Sequence, residues 1–197
     1  MNRRPALGCL LEIVETLALT FLIFWVIQSF VAQPYKVQGE SMERTLEPDQ
    51  YVLVDKLTPR VDPYKRGDIV VFRPPTNWVQ EGGEPFIKRV IGVGGDTVEL
   101  RDGSVFVNGV QLNEPYVYQD NGHAQPTEDL AGVGRWFIPQ GELFLMGDHR
   151  GNSADSREFG PVDLDQVIGR ASLRYWPIGA FEIIPTPGHP ELDTPAP

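Results

Sequence analysis

The chain has 197 residues, 17 Lys and Arg against 27 Asp and Glu, and a formal net charge of −10. Its 41% hydrophobic content excludes wholesale disorder, and the acid excess excludes a nucleic-acid binder, which needs a basic face. A single cysteine, Cys9, excludes an intrachain disulfide, and three histidines make a His-rich metal site unexpected.

Residues 1–32 carry Arg3, Arg4, Glu12 and Glu15, so the whole net charge falls in residues 33–197. From Leu10 to Ala32 the chain is mostly apolar and uncharged apart from the two glutamates, which is long enough to span a bilayer as a helix. Glu12 and Glu15 sit in its first turns, where acids suit the positive end of the helix dipole. Arg3 and Arg4 precede the segment, which predicts a cytoplasmic N-terminus and an exported remainder. A cleaved leader is the competing reading. Cleavage after Ala32 would put Phe30 at −3, where a small residue is wanted. Residues 1–9 are therefore read as a cytoplasmic N-terminus and 10–32 as a transmembrane helix.

Beyond residue 50 the pattern is short runs rich in Val, Ile, Phe and Tyr: 51–57, 68–74, 86–93, 96–112, 141–148 and 167–178. Gly, Pro, Asp and Asn bound them, as they bound strands. Asp102-Gly103 and Asn108-Gly109 fit tight hairpin turns. The expectation is a mainly β fold, an antiparallel sheet with barrel-like character, over residues 33–184. Residues 119–135 read as a surface loop or lid, and 185–197, with five prolines, as a disordered tail. Trp78 and Trp136 stand in polar, Pro- and Gly-rich stretches and are read as side chains free to dip into a bilayer.

Three segments suggest chemistry. QGESMERTL (38–46) holds Ser41, two residues after Gly39, close to the end of the apolar segment. FIKRVIGVGGD (86–96) holds Lys88 on an apolar strand face with Phe86 and Val90. Burial there would lower the amine pKa toward the range of a working base. GDHRGNSADSREFGP (147–161) is dense in polar side chains, among which Asp155 and Arg157 could pair and hold a loop. Serine plus a neutral lysine is the lysine variant of the hydrolase triad, with the backbone N–H of Ser41 as one oxyanion donor.

In this order, behind an N-terminal anchor, QGESMERTL, RGDIVVF, FIKRVIGVGGD and GDHRGNSADSREFG resemble the bacterial-type signal peptidase I family over residues 5–182. The resemblance implies a membrane-bound serine endopeptidase that removes signal peptides from exported preproteins. It implies Ser41 as nucleophile, Lys88 as general base, Ser153 as a hydrogen-bond partner of the amine, and Asp155 with Arg157 as a supporting ion pair. It implies an extended substrate strand near 35–42 and 85–88. Tyr35, Val37, Gly39, Met42, Leu46, Phe86 and Ile87 would line shallow pockets for small residues at −1 and −3. No cofactor or metal is implied. The implied partners are signal peptides, the lipid bilayer and the secretion machinery. Arg44 stands where the family commonly has proline, and His149 where it commonly has asparagine. His149 opens a competing Ser–His–Asp reading, with Asp148 or Asp155 as orienter. Two readings compete with the peptidase itself: a self-cleaving Ser–Lys protease of the repressor type, and a catalytically dead, membrane-tethered β binding module.

Overall fold

The computed structural model describes residues 4–76, 78 and 83–192. Helix α1 runs Arg4–Val26 and continues as a π-helical turn over Ile27–Val31. It begins earlier than Leu10 because Pro5 is tolerated in a first helical turn, where its missing N–H has no partner to lose. Ala32 has already left it, with φ −154° and ψ 146°. Within it, Gly8–Val31 is long and apolar enough to cross a membrane, and none of it is buried against the rest of the protein.

The strands are β1 Ala32–Lys36, β2 Tyr51–Asp55, β3 Ile69–Phe72, β4 Phe86–Val93, β5 Thr97–Arg101, β6 Ser104–Val107 and β7 Val110–Gln111. They continue as β8 Gln119–Asp120, β9 His123–Ala124, β10 Arg135–Phe137, β11 Glu142–Met146, β12 Val162–Asp163, β13 Val167–Trp176 and β14 Glu182–Ile183. The larger sheet has the order β1-β2-β13-β3-β4-β11-β12, with β14 added to β13, and the smaller one β10-β5-β6-β7. All the pairings are antiparallel. Register shifts in β13 and β11 are β-bulges, which bend strands, and the larger sheet curls into a half-barrel. The fold is thus mainly antiparallel β, as its turn grammar predicts. Asp102-Gly103 and Asn108-Gly109 hold positive φ at both positions (50° and 75°, 52° and 83°), which a two-residue hairpin turn demands.

Strand β4 is buried along nearly its whole length because side chains pack on both of its faces. Ile91 joins one apolar cluster with Val98, Ile138 and Phe144, between the two sheets. Val90 joins another with Phe72, Leu143 and Leu145. Trp78 completes that second cluster at 6% exposure, stacked on Phe159 and edge-on to Phe72. It is a core residue, not a membrane-dipping one. Its indole gains more from three aromatic neighbours than the polar sequence around it suggests. Trp136 is likewise half-buried, against Phe144.

The Pro-rich C-terminal segment is also corrected in part. Residues 185–192 lie on the domain: Thr186 donates to Asp68 (2.7 Å), Glu191 accepts from the Asn113 N–H (3.0 Å), and His189 is buried edge-on against Tyr116. Proline restricts the backbone without preventing polar side chains between prolines from docking. Residues 193–197 lie outside the described residues. Segment 119–135 forms the small β8–β9 hairpin and then turns, with Thr127 N donating to Gly103 O.

Candidate active site

Ser41 stands in a tight hydrogen-bonded turn. Leu46 N donates to Met42 O at 2.7 Å, and Glu43 N to Glu40 O at 3.0 Å. Met42 and Leu46 are buried in the core with Val52, Val54 and Ile69, so they pin the turn from beneath. This corrects the expectation that they line a substrate pocket. The turn closed by the Leu46 N–H to Met42 O bond carries both side chains inward, and there they pack on Val52, Val54 and Ile69. Gly39 precedes the turn with φ +74° and open space where a Cβ would stand. Backbone conformation, not crowding, favours glycine there.

Lys88 comes from the middle of β4, paired in register with Val70, and is 4% exposed. Its Nζ lies 2.5 Å from Ser41 Oγ, and among the described residues this is its only side-chain hydrogen bond. Burial pulls its pKa down from 10.5 to about 8, opposed by Asp155 and Asp148 and assisted by Arg157. An amine so placed is readily neutral, and a neutral amine can accept the serine proton.

Asp155 caps the short helix α2, Ser156–Phe159, and pairs with Arg157 through both carboxylate oxygens, at 2.8 and 2.9 Å. Burial pushes the Asp155 carboxyl up, but Arg157 and the N–H of Gly147 hold it below its usual value. Ser153 donates to this carboxylate at 2.7 Å and makes no hydrogen bond to Lys88. That departs from the expected amine contact, because an ionised carboxylate is a stronger acceptor than an amine. Ser153 still stands at the site. A Cβ on Gly147 would collide with both Ser153 Oγ and Ser41 O, so only glycine lets these segments meet.

His149 does not serve Ser41. Its ring stacks on Tyr118 with centroids 4.1 Å apart, and its Nδ1 faces Glu43 at 2.8 Å. Only its backbone N–H reaches that residue, donating to Ser41 O at 3.0 Å. Arg44 adopts φ +81°, which a proline ring forbids, and its guanidinium donates to Val117 O at 2.6 Å. The tether holds the turn where the family's proline would stiffen it.

Sequence reasoning missed the pair beside Lys88. Arg89 points to the opposite face of β4 and meets Asp148 through two bonds, 2.8 and 2.6 Å, with both side chains buried. Thr45 donates to the same carboxylate, Arg89 donates to Gly67 O, and its guanidinium lies 3.9 Å over the Tyr116 ring. One buried ion pair thus joins the strand of Lys88, the turn of Ser41 and the segment after β11. The signal available was an arginine inside an apolar run, since such a residue is rarely buried unless paired.

A cleft of about 310 Å³ opens beside the dyad. Tyr35, Val37, Gly39, Phe86 and Ile87 line it as expected, and Gln38, Val52, Val71 and Ala154 join them. β3 pairs with Phe86–Arg89, whereas β11 pairs only from Arg89 onward. The backbone of Phe86–Lys88 therefore keeps one edge open toward an added strand. The N–H of Ser41 makes no hydrogen bond among the described residues, so it is available to a developing oxyanion.

A serine hydroxyl against a buried, readily neutral amine, beside an open strand edge, defines a class: serine endopeptidases in which lysine takes the place of histidine. The model of the family described as "Signal peptidase, peptidase S26" matches residues 10–176. The chain belongs to that family, serine endopeptidases that remove signal peptides from preproteins. It is 35% identical over 183 residues to signal peptidase IB of Staphylococcus aureus, covering 88% of this chain and 93% of that protein. It is 35% identical over 184 residues to signal peptidase I of Leptolyngbya laminosa, covering 91% and 87%. A crystal structure of a signal peptidase I from Enterococcus faecalis aligns at 33% identity and a TM-score of 0.42, covering 55% of this chain and 97% of that one.

Proposed function

We propose that Ser41 is the nucleophile and Lys88 the general base of this peptidase, with Ser153, Asp155 and Arg157 holding the site. The observation that carries this reading is the 2.5 Å approach of Lys88 Nζ to Ser41 Oγ, with the amine buried. Lys88 takes the hydroxyl proton as Oγ attacks the carbonyl carbon of the −1 residue. The Ser41 N–H meets the oxyanion, and Lys88 returns the proton to the amine of the departing mature chain. Water, activated by the same amine, then hydrolyses the ester. The signal peptide lies extended along Phe86–Lys88 and residues 35–39, with small side chains at −1 and −3 in the shallow cleft.

The pH dependence tests the base. With a folded-state pKa of about 8, kcat/KM should rise through pH 8 and then level off as the amine loses its proton. Lys88→Arg should be inactive at every pH, because arginine stays protonated. Substantial cleavage by that variant would remove Lys88 from the base role.

The same reading places α1 across a bilayer as a single anchor, residues 1–9 in the cytoplasm and the β domain of residues 33–184 on the exported side, where the secretion machinery delivers preproteins. Arg3 and Arg4, just before the apolar segment, support it by the positive-inside rule. Protease added to sealed right-side-out vesicles should digest the β domain. Protection of that domain until the vesicles are opened would reverse the topology.

A further inference from the structure

In a chain with this acid excess, a cation without an acidic partner is unusual. Among residues whose side chains are described, the lysines and arginines in no ion pair are Arg44, Lys56, Arg60, Arg73 and Lys88. Arg44 donates to a carbonyl and Lys88 faces Ser41. The other three, Lys56, Arg60 and Arg73, all line one cavity of about 920 Å³. That cavity begins at the end of the apolar helix. Ser29 is part of its wall, and the Lys56 ammonium donates to Gln28 O (3.1 Å) and Gln33 Oε1 (2.6 Å), where the helix gives way to β1. Burial and the neighbouring Arg73 both pull the Lys56 pKa down, and neither cation has an acidic partner within ion-pair distance among the described residues. Glu142 and Asp165 also line the cavity, leaving it one positive charge in excess.

We propose that this cavity binds the headgroup of an anionic glycerophospholipid. Arg60, Arg73 and Lys56 would hold the phosphate, and Glu142 or Asp165 would accept hydrogen bonds from headgroup hydroxyls. The single excess positive charge complements a headgroup of charge −1 better than a neutral one. The position complements it too, because phosphates begin where the hydrocarbon-spanning segment ends, so a basic cavity there meets the headgroup layer. Free phosphate shares the chemistry, but α1 keeps the cavity at the lipid surface. The site would fix the depth and tilt of the β domain, and so the height of the Ser41 cleft above the membrane. The proposal rests on reading α1 as a membrane span.

The test uses the full chain in detergent, titrated with phosphatidylglycerol or phosphatidylcholine and read by native mass spectrometry. The wild type should take up one phosphatidylglycerol in preference to phosphatidylcholine. The double variant Arg60→Gln, Arg73→Gln should lose that preference by about tenfold or more, while still cleaving a peptide substrate in detergent. A control substitution of Arg135, an exposed arginine paired with Glu99, should leave the preference intact. An undiminished preference in the double variant would overturn the proposal. So would displacement of the lipid by an equal concentration of inorganic phosphate, which would assign the cavity to the free ion. Flotation with vesicles separates the two readings. A wild type that fails to float refutes the span, whereas chains that float without lipid preference refute the headgroup site alone.

Discussion

Ser41→Ala and Lys88→Met will each abolish signal-peptide processing, yet they will move stability differently. Loss of the nucleophile is expected to cost about 10⁴-fold or more in kcat, and loss of the base about 10²–10⁴-fold. The stability effect of Lys88→Met follows from the buried amine. In the unfolded chain the lysine titrates at its ordinary value of 10.5, in the folded chain at about 8. Below pH 8 both states carry the proton, and the folded state bears the full penalty of an ammonium out of water, on the order of 3 kcal/mol. Between pH 8 and 10.5 the unfolded chain holds the proton and the folded one does not, so wild-type stability rises with pH across that window. Methionine fills similar space without a charge. The variant should therefore melt higher than wild type at pH 7 and lose the rise above pH 8. A Lys88→Met protein that melts at or below the wild-type temperature at pH 7 would show that the ammonium is not penalised in the fold, and the base would need another source of its lowered pKa.

The second large effect lies one residue along the strand. Arg89→Met leaves the Asp148 carboxylate buried, with Thr45 as its remaining side-chain donor. Breaking a buried pair by removing one partner costs about 3–5 kcal/mol, which in a chain of this size lowers Tm by roughly 10 °C or more. Replacing both partners by apolar residues, Arg89→Met with Asp148→Leu, removes the orphaned charge and should recover most of that loss. Thermal unfolding of the two single variants and the double variant measures the coupling. Additive losses in the double variant would mean that the pair is not the unit that joins β4, the Ser41 turn and the segment after β11. Processing should fall in Arg89→Met even at temperatures where it stays folded, because the pair fixes the relative positions of Lys88 and Ser41.

Features that depend on local pattern are legible in the sequence. Positive φ at Asp102-Gly103 and Asn108-Gly109 is a property of the dipeptide, so the residues alone place both hairpins. Lysine at position 88 shares a strand face with Phe86 and Val90, and strand alternation puts it on an apolar side. Met42 and Leu46 depart from expectation because their nearness to Ser41 along the chain suggests the cleft, while the turn that holds Ser41 directs them into the core. Ser153 departs from it because its preferred acceptor, Asp155, is held ionised by Arg157.

Composition, strand period and motif suffice to say that an apolar helix precedes an acidic β domain, and to single out Ser41 and Lys88 as the residues proposed for its chemistry. All three signals are local. The approach of Lys88 Nζ to Ser41 Oγ, across 47 residues of chain, is a product of the folded arrangement. So is the turning of His149 toward Glu43 and Tyr118, and so is the pairing of Arg89 with Asp148, 59 residues apart. Each of these is a meeting of side chains from separate strands and turns. Sheet order and the curl imposed by bulges set such meetings, and neither is written in any one segment.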